Sequence, residues 1–339
     1  MLTVAEVDPF DERAFGDWYD ALRAGAAADR EAPVISTLEA LTFSLRNPGE
    51  RLRRLAVAAT QNGETVGAML FELPLVDDLS NVMVEIDVPP AHRRKGVATA
   101  LWAWAAERAA AEQRSIFQTE INIPSGFDLH SWPGAAFATK LGFASENTED
   151  HFVTPLPFDP ATISLLKANT SALASYRLIS WAGQCPEEHL QKYADLHTAM
   201  NQDVPTGGLS REASAWDAER VRTNDARLVE NYLPLVTMAQ TLEGEPAGYT
   251  LMYVQLGDRA NVLQDDTLVM RDHRGHNLGT HLKLANLDQL AVHHDSPGWI
   301  HTWTAESNGP MQKVNARFGF RVVEQMHEFE LTSPATAGH

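Results

Sequence analysis

Val82-Met83-Val84-Glu85-Ile86-Asp87-Val88-Pro89-Pro90-Ala91-His92-Arg93-Arg94-Lys95-Gly96-Val97-Ala98-Thr99-Ala100-Leu101 is the stretch from which the fold can be read. It begins as an apolar strand carrying two alternate carboxylates and breaks at a Pro-Pro pair. It then crosses a cationic turn containing glycine and enters a run rich in Ala and Leu with helical character. The same succession returns 181 positions later as Asp266-Thr267-Leu268-Val269-Met270-Arg271-Asp272-His273-Arg274-Gly275-His276-Asn277-Leu278-Gly279-Thr280-His281-Leu282. Both copies hold an acid, an apolar strand end, a His-Arg loop, a small residue and Thr-x-Leu. Thr119-Glu120-Ile121-Asn122 has an echo in Ala305-Glu306-Ser307-Asn308, and Lys140-Leu141-Gly142-Phe143 has one in Arg317-Phe318-Gly319-Phe320. Three matches in the same order point to a duplication.

Each half also places a hairpin ahead of its central strand. Residues 54–59 and 65–71 flank an Asn-Gly turn, and 235–240 and 247–253 flank Glu243-Gly244-Glu245-Pro246. Helices are predicted from Val97 to Gln113 and from Leu278 to His293. Each half therefore reads strand, helix, hairpin, central strand, helix, strand, helix, strand, which is a mixed α/β sheet and not a doubly wound parallel one. Three prolines in Thr154-Pro155-Leu156-Pro157-Phe158-Asp159-Pro160 favour an extended connector. The expected division is a domain at 1–155, a linker at 156–171 and a second domain at 172–335.

The length of 339 residues suits two cores better than one. No apolar run approaches the roughly 20 residues of a membrane span. The N-terminal stretch is acidic and lacks the order of a signal peptide. Cys185 is the single cysteine, so no internal disulfide forms, and a cytoplasmic location is expected. The net charge of −18 would repel a phosphate backbone and disfavours nucleic acid as a partner. It fits either plain solubility or an acidic cleft for a cationic amine. His273, His276, His281, His293 and His294 lack metal-ligand spacing, so no metal is expected. Trp102, Trp104, Trp299 and Trp303 read as packing residues.

A glycine turn between strand and helix presents backbone N–H groups to an anion, aided by the helix dipole. Arg93, Arg94, Lys95, Gly96, Val97, Ala98 and Thr99 supply such a turn in the first half. It lacks the Gly-Lys-Ser/Thr ending of a P-loop, and the chain has no dinucleotide fingerprint. Arg-x-x-Gly-x-Ala after a strand, with Leu-Gly-Phe 50 residues on from Arg93, resembles the GNAT acetyltransferases, once per half. The resemblance implies two tandem acyl-CoA-binding domains, with acetyl-CoA as co-substrate at the turn. In the second half the corresponding residues are Arg274, Gly275, Asn277 and Gly279. Asn277 stands where the family has glycine, and its side chain would crowd a pyrophosphate.

In this family the strand before the turn splays from its neighbour, and a backbone N–H at its end polarises the thioester carbonyl. That position is similar to Val88 and Val269. Taking a proton from the ammonium substrate requires a base. Glu85 and Asp266 share one register on apolar strands, where desolvation favours a base, and Asp87 shares the face of Glu85. These carboxylates could equally be satisfied by loop N–H groups or bind a cationic substrate. Glu120 and Glu306 are candidates for the pocket lining. Many members carry a Tyr acid four residues before the Gly of Gly-Phe, where this chain has Ala138 and Asn315. Asn315 could instead hydrogen-bond the thiol or the pantetheine arm. An insertion at 123–132, with Asp128 and His130, reads either as a substrate lid or as a surface loop. The expected activity is acetyl transfer to the primary amine of a small molecule, by a monomer or a homodimer. The alternatives are a silent acyl-CoA-binding module and an enzyme for longer acyl chains.

Overall fold

The computed structural model describes residues 1–168, 171–203, 207–212 and 214–332. The first half runs β1 (Leu2–Glu6), α1 (Glu12–Ala26), α2 (Leu38–Arg46), β2 (Leu52–Gln61), β3 (Glu64–Pro74), β4 (Asn81–Asp87), α3 (Val97–Ala111), β5 (Ile116–Pro124), α4 (Pro133–Leu141) and β6 (Ala144–Leu156). The second runs α5 (Pro160–Lys167), β7 (Tyr176–Ala182), α6 (Leu190–Asp203), α7 (Ala218–Leu228), β8 (Tyr232–Thr241), β9 (Pro246–Gln255), β10 (Asn261–Val269), α8 (Leu278–His293), β11 (Gly298–Ala305), α9 (Gly309–Arg317) and β12 (Arg321–Thr332). The repeated order matches the sequence reading, with one difference: two helices, not one, follow the first strand of each half. Asp11 and Thr37 cap α1 and α2, while Phe15, Trp18, Leu22 and Leu41 bury one face of each.

Packing divides the chain into two units. Among the described residues the first comprises 1–148, 207–212 and 324–332, and the second 149–168, 171–203 and 214–323. This differs from a split at 155/156, and strand pairing is the reason. β6 continues through Pro155 to Leu156 as a partner of β11, with Leu156 opposite Gly298. The proline-rich segment is therefore extended, as expected, but its first part is a strand of the second unit. In return β12 pairs with β5, with Glu328 opposite Glu120, and belongs to the first unit from Glu324 onward. The expected end of the second domain at 335 lies outside the described residues.

Both units contain a mixed sheet. In the first, β1–β4 are antiparallel neighbours, β4 and β5 run parallel, and β12 runs antiparallel to β5. In the second, β7–β10 are antiparallel, β10 and β11 parallel, and β6 antiparallel to β11. The first unit buries α3 and α4 on one face around Leu101, Phe71, Phe117 and Phe143, and α1 and α2 on the other around Trp18 and Ala58. Trp102 and Trp104 stack edge-on against Phe117 and Phe71, as packing residues do. Among the described residues no helix is long and apolar enough to cross a membrane.

One feature of the ladders positions the site. β4 and β5 pair only through Asn81, Val82 and Met83, and β10 and β11 only through Asn261, Val262 and Leu263. Beyond those residues the parallel strands separate. In the first unit the stretch carrying Glu85 and Asp87 thus borders a cleft.

Candidate active site

The turn before α3 needs two left-handed residues: Arg94 has φ 62° and Gly96 has φ 85°. In the second unit the pair is Gly275 at 84° and Asn277 at 63°, the same backbone with glycine at the other place. Gly96 has open space where a Cβ would be, and as N-cap of α3 it supplies no capping side chain. The first N–H groups of the helix therefore face outward without intrahelical acceptors. The guanidinium of Arg93 donates through Nε to the Val88 carbonyl at 3.1 Å, and Arg274 donates likewise to Val269 at 3.0 Å. Each arginine ties the turn to the strand end.

The two turns differ in what neutralises them. Arg93 faces Asp29 at 3.3 Å, a carboxylate largely in water, and Lys95 donates to the Ala91 carbonyl. Arg271 and Arg274 both bond the carboxylate of Asp203, at the end of α6. The side-chain oxygen of Asn277 accepts from Arg317 at 3.2 Å. The turn of the second unit is thus cross-linked to the ends of α6 and α9, whereas that of the first keeps a net positive charge.

Strand alternation puts Glu72, Glu85, Asp87, Gln118, Glu120 and Glu328 on the face of the first sheet away from α3. Burial pushes the Glu85 carboxyl up to about 8, reinforced by Glu72, Asp87 and Glu120 and opposed by Arg54, which pairs with Glu72. Asp87 is pushed up to about 7 by burial, with Arg30 and Arg93 pulling the other way. Glu120 is raised too, by burial and then by Glu328. Both Glu85 and Asp87 are only partly exposed, at the open end of the cleft. α1 approaches this point closely: a Cβ on Gly25 would lie 2.8 Å from Asp87 Cβ and 2.8 Å from Val88 N.

Sequence reasoning missed the wall opposite. Residues 207–212, far along the chain, run against the first unit. Ser210 accepts from Asn81 and donates its N–H and hydroxyl to Glu330, while Arg211 pairs with Glu328 at 2.7 Å. Arg30 forms a two-bond ion pair with Glu324, at 2.9 and 2.6 Å, with Glu324 2% exposed. Glu72 was findable, because it alternates onto the same face as its neighbours. Arg211 and Glu328 carry no local signal, since their roles depend on pairing across 117 positions.

Several expected residues lie elsewhere. With β5 and β11 aligned through their parallel partners, Trp303 falls where Glu120 does, and Glu306 sits exposed beyond the strand end. The Glu-x-Asn echo is therefore out of register, because Asn122 is a strand residue and Asn308 caps α9. Asn315 has no exposed surface and donates to Thr304, packed between α9 and β11, with its side-chain oxygen lacking a partner among the described residues. His130 is exposed in a loop closed on itself, where Asp128 accepts from the N–H groups of His130 and Ser131. Phe127 and buried Trp132 stack edge-on beneath it, as in a surface loop folded over its own helix. Asp266 occupies the predicted register but accepts a hydrogen bond from Tyr249 inside a β-bulge.

Comparison with known proteins agrees with this geometry. Residues 18–143 match the acetyltransferase (GNAT) family model. A tandem GNAT protein from the clavulanic acid biosynthesis pathway, solved without AcCoA, superposes with TM-score 0.81 at 28% identity, covering 99% of this chain and 100% of that one. A GCN5-related N-acetyltransferase from Sphaerobacter thermophilus gives TM-score 0.65 at 14% identity, covering 98% and 96%. Saccharomyces cerevisiae N-myristoyltransferase with bound myristoyl-CoA and inhibitors gives 0.58 at 11%, covering 98% and 80%, a likeness of fold alone. No curated protein sequence matches the chain. Residues 18–143 form a domain of the GNAT acetyltransferase family, and the chain as a whole has the tandem GNAT fold.

Proposed function

We propose that the first unit transfers an acyl group, acetyl in the first instance, from acyl-CoA to the primary amine of a small molecule. The observation that carries this reading is the juxtaposition of a turn with net positive charge at the start of α3 with a strand end bearing Glu85 and Asp87 at the mouth of a splayed cleft. The pyrophosphate would bind the N–H groups of Val97, Ala98 and Thr99 beside Arg93, Arg94 and Lys95. The thioester carbonyl would lie at the backbone N–H of Val88, which favours the oxyanion.

The amine arrives as an ammonium and gives a proton to Glu85 or Asp87. Its lone pair attacks the thioester carbon, the C–N bond forms, the nitrogen releases its second proton to solvent, and the C–S bond breaks. The thiolate leaves with the electron pair and takes a proton from solvent, since Ala138, where the family's Tyr would be, is a buried methyl. An alkyl thiol near pKa 8.5 can leave without an acid, at some cost in rate. The second unit, whose turn is cross-linked by Asp203 and Arg317, serves another purpose in this reading.

Calorimetric titration of acetyl-CoA into wild type, Gly96→Glu and Gly279→Glu tests the assignment. Binding is expected in wild type and Gly279→Glu, and loss of more than tenfold in Gly96→Glu. Loss only in Gly279→Glu would move the site to the second unit. Competition with longer acyl-CoA esters then fixes the chain length. Wild-type binding without turnover across an amine panel would leave a binding module.

A further inference from the structure

The ladder between β4 and β5 ends at Met83 and Gln118, so no pairing between these two strands sets how far apart Val88 and the end of β5 stand. Transfer across this gap nevertheless needs the Val88 N–H and the carboxylates of Glu85 and Asp87 at a fixed distance from the opposite wall.

The residues that end α1 supply a tie. The helix is seated on the sheet by Phe15, Trp18 and Leu22, and the Trp18 indole donates to the Val57 carbonyl at 3.1 Å. Its last turn lies against one lip of the cleft, where a Cβ on Gly25 would stand 2.8 Å from both Asp87 Cβ and Val88 N. Five residues on, Arg30 reaches the other lip. Its Nη1 donates to the Ala26 carbonyl at 3.1 Å, which fixes the guanidinium to the end of α1. Its Nε and Nη2 donate to the two carboxylate oxygens of Glu324 at 2.9 and 2.6 Å. Glu324 lies opposite Pro124, the last residue of β5, and alternates onto the face that carries Glu120 and Glu328. Contacts therefore run unbroken from the end of β4 through α1, Arg30 and Glu324 to β12 and the end of β5.

Both side chains of the pair are out of water, 9% and 2% exposed. Desolvating two ions offsets much of their attraction, so an apolar pair of similar volume would hold the fold as well. Geometry is what the ion pair adds. A planar fork with three donors engaged has one orientation, whereas apolar contacts tolerate sliding.

We propose that Arg30 and Glu324 are positioning residues, a strut across the mouth of the first cleft that fixes the separation of its two lips. Neither side chain touches the reacting atoms. The effect on rate rests on the transfer reading above, while the separation itself does not.

The test combines steady-state kinetics, acetyl-CoA calorimetry and crystal structures of wild type, Arg30→Lys and the double variant Arg30→Met/Glu324→Leu. The double variant leaves no buried charge behind, so it should melt at or above the wild-type temperature. Its gap from Val88 N to Pro124 Cα should change by about 1 Å, and kcat should fall by about 10- to 100-fold. Acetyl-CoA affinity should stay near wild type, because Arg93 ties the turn to the Val88 carbonyl and the two move together. Arg30→Lys keeps the charge and loses the fork, so it should melt like wild type and lose kcat about fivefold or more. An unchanged gap in both variants would overturn the proposal. So would wild-type kcat in the folded double variant, or a rate loss that only tracks the folded fraction. If wild type acetylates no amine, the transfer reading falls, and the measured gap still decides for or against the strut.

Discussion

Glu85 holds a proton that an exposed glutamate would have lost, and this has consequences for both rate and stability. With its pKa near 8, the base form grows as pH rises from 6 to 9, so kcat/KM should climb over that range. Glu85→Gln should lower turnover by about 10²-fold or more and flatten the profile. A variant that keeps both rate and slope would remove Glu85 as base. Stability runs the other way. The folded pKa lies above the unfolded one, so the ionisation penalty is absent near pH 4.5 and is complete above about 8. Glu85→Gln should therefore melt close to wild type at pH 4.5 and a few degrees higher at pH 9, by scanning calorimetry. Lys283 shows the opposite sign. Buried in α8, 3% exposed and 6.0 Å from the Phe320 ring centroid, it is pushed down to about 7 by burial. Its penalty is full below pH 7 and fades toward its ordinary 10.5, so Lys283→Met should be stabilising, most of all in acid. At this scale the sequence was informative about Glu85, Asp87 and the Gly96 turn, because strand alternation and a turn motif are local signals. It was silent on Arg211 and Glu328, which meet only through tertiary structure.

Among the helices, α1 brings its backbone close to the strand end of the site. Gly25→Ala would place a methyl 2.8 Å from Val88 N, so the helix must shift or the strand end must yield. Activity should fall at least tenfold while the far-UV circular dichroism stays native, and unchanged kinetics would show that α1 has room to move. The 207–212 segment is held as tightly. Gly207 has φ 58°, and a Cβ on it would meet the Glu146 carbonyl at 2.1 Å. Gly207→Ala should raise the KM for the amine more than it lowers kcat, because it displaces Arg211 from Glu328. The hairpins and the helices after the glycine turns were legible from spacing, and α8 begins and ends where the periodicity placed it, whereas the second helix after each first strand was not foreseen. The bulge at Asp265 and Asp266 was not, since a single extra strand residue leaves the apolar pattern on either side intact. The Glu-x-Asn echo misled for a related reason: identical letters fell on a strand in one half and on a helix cap in the other.

At the scale of the whole molecule, the duplication was legible and the assignment of strands to units was not. β6 and β12 have similar length and alternation, and nothing local states which sheet each will join. Removal of residues 324–339 should therefore damage the first unit, at the far end of the chain. Hydrogen exchange is expected to show lost protection in β5 and α4, with β8 to β10 retained; loss confined to the second unit would contradict the pairing of β12 with β5. That pairing also sets a timetable. As the chain is made, β5 is synthesised roughly 200 residues before its partner. At 5–20 residues per second, the first unit waits on the order of 10–40 s with one sheet edge open. The edge strand in waiting carries Glu120 between Thr119 and Ile121, and an inward-facing charge of that kind is how sheets discourage pairing with strangers. The carboxylate that lines the cleft in the finished protein thus also guards the nascent one, and replacing it with an apolar residue should lower soluble yield even where the folded state tolerates it.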